Sequence, residues 1–178
     1  MAAVDETPSS AGSGGKQVRL LRIVAVVVYL IDLASKAAVV AELEGRPAVP
    51  VFGTWMQLRV QRNPGAAFGI GSAATIVFSV LAVVVAVVVV RLSRRLTSRS
   101  WALALGLLLG GALGNLTDRV FRSPGDLSGA VVDFIAVRGF SVMNLADWAI
   151  SCGAVLAIWA STQARRPVGK RDHLEQSA

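Results

Sequence analysis

Four long apolar runs divide this chain. They lie near Leu20–Ala41, Ala73–Val90, Trp101–Leu116 and Leu145–Ser161, with polar, arginine-bearing segments between them. A membrane-spanning helix needs about 20 largely apolar residues. The second run, ATIVFSVLAVVVAVVVV, carries no charge, and the third and fourth become long enough with their flanks. The first holds Asp32 and Lys36 and is followed by three more runs, so it reads as a retained helix rather than a cleaved leader, despite Lys16, Arg19 and Arg22 ahead of it. The pattern predicts an all-α membrane protein of four transmembrane helices. Between the first two runs, VPVFGTWMQLRVQRN partly alternates apolar and polar positions. That alternation predicts short strands, hence a small β-sheet or loop region on the outer membrane surface with Trp55 at headgroup level.

Composition agrees: 54% of the residues are hydrophobic, above what a soluble domain carries. The arginines then set the topology. Lys16, Arg19, Arg22, Arg91, Arg94, Arg95, Arg99, Arg165, Arg166, Lys170 and Arg171 fall on one side of a four-span chain, and outnumber Arg46, Arg59, Arg62, Arg119, Arg122 and Arg138 on the other. By the positive-inside rule both termini are cytoplasmic. The net charge of +7 therefore reports orientation and affinity for membrane lipids, and no stacking motif or zinc spacing points to nucleic acid. Residues 1–18 read as a disordered polar tail, 19–165 as the membrane domain and 166–178 as a charged cytoplasmic tail.

The single cysteine, Cys152, excludes an intrachain disulfide and a CxxC metal site, and its place in the fourth run predicts a small buried apolar residue. The single histidine, His173, lies in the terminal tail, which removes Ser–His and Cys–His dyads. Gly106, Gly110 and Gly114 recur at four-residue spacing, a face that permits close helix approach.

The polar residues of the spans are the informative ones. Asp32 and Lys36 are i and i+4 and share a face. Asn115, Asp118 and Arg119 stand at the outer end of the third helix, and Asn144 and Asp147 at the outer start of the fourth. Asn63 and Asp133 belong to the outer loops. All fall at one depth, the outer membrane boundary, while the inner half is nearly all apolar. Ionisable groups in spans mark function or a stabilising network between helix ends. For Asp32–Lys36 and Asp118–Arg119 both readings stay open. Asp133 and Asp147 lack a basic residue within four positions and sit among apolar neighbours. Two such carboxylates suggest an aspartic dyad, in which like charge and burial separate the ionisations. The ionised acid activates water and the protonated one polarises a carbonyl. The helix N-terminus favours Asp147 as the ionised member.

Taken together, DLASK (Asp32–Lys36), RNPGAAFGI (Arg62–Ile70), GGALGNLTDR (Gly110–Arg119), VVDF (Val131–Phe134) and MNLADWAIS (Met143–Ser151), in this order on four spans, resemble lipoprotein signal peptidase, signal peptidase II. The resemblance implies a multi-pass aspartic endopeptidase of the bacterial plasma membrane. It implies cleavage of diacylglyceryl-modified prolipoproteins just before the lipidated cysteine, at the extracytoplasmic face, with no cofactor and no metal; four spans of this size suffice for a monomer. It assigns catalysis to Asp133 and Asp147. Asn63, Gly65, Asn115, Asp118, Arg119 and Asn144 become substrate-binding or supporting residues, and Asp32 and Lys36 structural support. Three features depart from the family: Met143 stands where phenylalanine is usual, VFRSPGDLSGA lengthens the link before Val131, and the polar N-terminal tail is extra. The alternatives are a small transporter, which would show polar groups through both halves of the membrane, and a catalytically silent lipid-binding scaffold.

Overall fold

The structure, a computed structural model, describes residues 11–65, 72–123 and 125–164. Each apolar run is one helix: α1 (Ala11–Leu43), α2 (Ser72–Ser93), α3 (Arg99–Phe121) and α4 (Leu145–Ala164). All four are long and apolar enough to cross a membrane. α1 begins at Ala11, so residues 11–18, expected in a tail, are helical; the apolar run supplies the costly nucleus and the helix propagates back from it. The tail at 166–178, with His173, lies outside the described residues.

α3 is the centre of the bundle, packed against all three other helices and the most buried of the four. Its glycines make this possible. A Cβ at Gly106 would stand 2.8 Å from Val24 Cβ, and one at Gly110 would stand 2.6 Å from the Ala25 carbonyl, so this face admits α1 only without side chains. On the other side, a Cβ at Gly111 would stand 2.6 Å from the Ala146 carbonyl, so the bare glycine seats α4. With lipid as apolar as leucine, such close packing rather than hydrophobic burial joins the helices. The outward faces remain apolar and exposed, as at Val26 and Leu30 on α1, Val77 and Val80 on α2, and Val155 and Ile158 on α4. Cys152 is also exposed, which corrects the expectation of burial: α4 turns its glycine, Gly153, to α3 and leaves Cys152 on the outward side.

A four-stranded antiparallel sheet covers one end of the bundle: β1 (Val49–Phe52), β2 (Met56–Asn63), β3 (Val131–Val137) and β4 (Val142–Met143), in that order. The first two strands are those the alternation predicts. β3 and β4 are additional, and they place Asn63 and Asp133 in paired strands rather than loops. VVDFIAV is rich in β-branched residues, but its buried run Val131–Phe134 lacks alternation. A shift in the β2–β3 register between Leu58 and Gln61 sets Gln61 opposite Asp133 and Asn63 opposite Val131.

Candidate active site

Two polar clusters meet at the sheet end of the bundle. The first is built on Lys36. Its ammonium is 1% exposed and lies 2.7 Å from Asp32 Oδ2 and 3.1 Å from Asp118 Oδ2, and donates to Asn115 Oδ1 at 2.9 Å. The other Asp118 oxygen pairs with Arg122, one helical turn further on. Each charge has a partner, as burial demands. The free ends of this cluster then reach outward. Asp32 Oδ1 accepts from the Ala146 amide at 2.9 Å, in the first turn of α4, and Asp118 Oδ2 accepts from the Val132 amide at 3.1 Å, the residue before Asp133. One lysine thus ties down the mounts of both Asp147 and Asp133.

The second cluster contains those two acids. Asn144 and Asp147 form a capping box at the start of α4: Asn144 Oδ1 accepts from the Asp147 amide at 2.9 Å, and Asp147 Oδ2 from the Asn144 amide at 3.1 Å. Asn115 Nδ2 donates to Asp147 Oδ1 at 2.9 Å. Asn144 Nδ2 donates to Asp133 Oδ1 at 2.7 Å and to Asn115 Oδ1 at 3.1 Å, and Asn63 Nδ2 to Asp133 Oδ2 at 2.9 Å. Asn63 is itself fixed, since its Oδ1 accepts from the Gly65 amide and its neighbour Arg62 grips Glu44 with two nitrogens. Gly65 adopts φ +86°, a left-handed turn that favours glycine. Burial pushes the Asp133 carboxyl up to about 6; the Asp147 charge acts in the same direction, against the Asn63 and Asn144 amides and the Lys36 charge.

Arg119 differs from every other polar group here. It is buried, its Nη1 has no hydrogen-bond partner, and its guanidinium lies over the Phe78 ring, 5.6 Å from the centroid. Asp118 does not pair with it, being held by Lys36 and Arg122. Arg119 instead lines a cleft of about 320 Å³ with Asn63, Gly65, Asn115 and Asp147 at its polar end. Below these, Phe78, Leu81, Ala82 and Val85 of α2 face Leu108 and Ala112 of α3 and Ile150 of α4. The cleft is apolar except at the end that carries Asp147, Asn63, Asn115 and Arg119, a shape suited to an apolar chain with one reactive polar bond.

All ten residues singled out in the sequence therefore converge on this end, in two linked groups. Phe78 and Arg122 were missed. Phe78 carried no local signal, but Arg122 stands i+4 from Asp118, a readable pairing. The long link before β3 does not leave Asp133 adrift, since the Gly129 amide caps the Arg119 carbonyl at 2.9 Å and Asp118 grips Val132. Among the described residues no group of three His, Cys, Asp or Glu side chains gathers to hold a metal.

Comparison with known proteins gives this arrangement a family. A family model described as signal peptidase (SPase) II matches residues 24–163. The chain belongs to the signal peptidase II family. A lipoprotein signal peptidase of Streptomyces griseus is 55% identical over 160 residues, covering 90% of this chain and 82% of that protein. One from Rhodococcus jostii is 47% identical over 158 residues, covering 88% and 79%. The structure of a bacterial membrane enzyme determined in meso at 1.9 Å resolution superposes with a TM-score of 0.69 at 28% identity, covering 83% of this chain and 92% of that one. In this signal peptidase II chain Met143 pairs with Ile135 across β3 and β4 and is half-buried.

Proposed function

We propose that this protein removes signal peptides from diacylglyceryl-modified prolipoproteins in the bacterial plasma membrane, with Asp133 and Asp147 as its catalytic dyad. The carrying observation is that two carboxylates from different elements, Asp133 buried and Asp147 half-buried, share one asparagine, Asn144, and that Asp147 lines an apolar cleft. Membership of the signal peptidase II family supports the same substrate class. The bias of arginines supports cytoplasmic termini, which sets the sheet end and the cleft's polar mouth at the extracytoplasmic face. The unit that performs the reaction is the four-helix domain at 19–165, acting as a monomer.

In this reading the signal segment and acyl chains occupy the apolar cleft, and the scissile carbonyl sits at its polar end. Arg119, with donors unspent, and Asn63 hold substrate carbonyls and fix the peptide against the acids. Asp147, in the first turn of α4, is the ionised member and takes a proton from the attacking water. Asp133, whose carboxyl is held up near 6, is the protonated member and donates to the carbonyl oxygen. The tetrahedral species then collapses with proton transfer to the leaving amine.

The test is a gel-shift cleavage assay with purified protein in detergent. A diacylglyceryl-modified prolipoprotein is compared with the same substrate lacking lipid, and with Asp133→Asn as control. Cleavage that requires the lipid and is lost in the variant is the expected result. Folded wild-type protein that leaves the lipidated substrate intact overturns the assignment in favour of a scaffold.

A further inference from the structure

α2 forms one wall of the cleft, yet α3 is the only helix it packs against extensively. Near the cleft's polar end two hydroxyl groups hold it. Thr75 donates to the Pro64 carbonyl, in the turn after Asn63. Ser79, fully buried, lies 2.9 Å from the Thr75 carbonyl one turn back and 2.6 Å from the Leu127 carbonyl. A serine in an apolar helix is already satisfied by the carbonyl four residues earlier, so its local hydrogen bonding does not require the second acceptor. The shorter contact is to the loop.

The loop adopts an unfavourable conformation to make that contact. Asp126 and Leu127 have φ of 51° and 67°, the left-handed region that bulky side chains avoid. Leu127 remains 37% exposed, so burial of its side chain does little to offset this. What the conformation delivers is a backbone carbonyl aimed at α2. The loop is also anchored at its far end, where the Gly129 amide caps the Arg119 carbonyl. A chain of contacts follows: loop to Ser79, its neighbour Phe78 to the Arg119 guanidinium, and Arg119 to the cleft. Backbone strain of this kind persists where surrounding structure over-determines it, and commonly at functional sites.

We infer that the turn at Gly125–Ala130 is a tether that sets the position of the α2 wall through Ser79, making Ser79 a positioning residue for substrate binding. This rests on the peptidase reading above, because the occupant of the cleft is the lipidated signal segment. The tether holds Phe78, and hence Arg119, at the distance that segment requires. Its loss weakens binding and leaves the acids and the asparagines untouched.

Two measurements test it. Spin labels at Val80→Cys on α2 and Val155→Cys on α4, both exposed positions, in a Cys152→Ala background report the width of the cleft in detergent. Ser79→Ala is expected to broaden and lengthen that distance distribution, and Ser79→Thr, which keeps the hydroxyl, to restore it. On the lipidated substrate, Ser79→Ala is expected to raise KM by about fivefold with kcat nearly constant, the scale of one hydrogen bond, and Ser79→Thr to return it. A distance distribution unchanged in Ser79→Ala, in protein that still cleaves, overturns the tether and leaves the peptidase reading standing. Broadened distances in Ser79→Ala, together with folded wild-type protein that never cleaves the lipidated substrate, overturn the peptidase reading, and with it the role in binding.

Discussion

The two acidic clusters of this protein are neighbours with opposite chemistry. Around Lys36, two carboxylates and two cations are matched, and the surplus lone pairs hold backbone amides of α4 and β3. Around Asn144, two carboxylates receive neutral amide donors, and the nearby Arg119 is committed to neither. The first cluster is closed, so its charges can only hold. The second opens on a cleft lined by Asp147 and Arg119, where one Arg119 nitrogen has no partner. In the proposed reading one end of the bundle holds both support and reactivity, and the difference lies in whether the counter-charge is supplied by the protein or left for substrate and proton.

The sharpest way to break this contrast is to neutralise an acid of each proposed role. Asp147→Asn or Asp133→Asn is expected to lower kcat by at least about a thousandfold while thermal unfolding in detergent changes little, because an amide retains most of the neighbouring bonds. Turnover within about tenfold of wild type, at equal protein, would remove the dyad. Lys36→Met attacks the closed cluster instead. It leaves Asp32 buried without a cation and Asp118 with Arg122 alone, an expected loss of about 3–5 kcal/mol in stability, read by denaturation in detergent. Unchanged stability would mean that the cluster is solvated rather than closed.

Arg119→Gln sharpens the comparison, since it removes a charge that supports no ion pair among the described residues. The expected outcome is a KM raised by about tenfold or more with little loss of stability, measured by lipidated-substrate kinetics. A large loss of stability without a KM effect would move Arg119 into the supporting group. The smallest effect is on pH dependence. Asp133 is raised above its ordinary value, so its proton is bound more tightly in the folded protein, and the stability this contributes is present at low pH and lost as pH rises through about 6. As the protonated member, Asp133 also gives kcat/KM an alkaline limb that begins near pH 6 and steepens towards tenfold per pH unit. Substrate burial raises the corresponding limb in kcat to higher pH. A kcat/KM flat from about pH 5 to 8 would reassign the proton donor.

Sequence by itself determined the four spans, because a bilayer imposes length and apolarity on consecutive residues, and α1 to α4 follow those runs. It determined the glycine seam of α3, since spacing by four is local, and the motifs determined the family. Helical periodicity also placed Asn115 with Arg119, and Asn144 with Asp147. Only the tertiary structure decided the rest. That Lys36 serves Asp118 as well as Asp32, that Asn144 joins Asp133 to Asp147, and that a left-handed loop reaches Ser79 are contacts between segments distant in the chain. β3 was hidden for the same reason: its pairing partner lies in β2, and its buried residues do not alternate. Local pattern fixes which residues share a helix face; which carboxylate receives a counter-charge depends on how those faces close on one another.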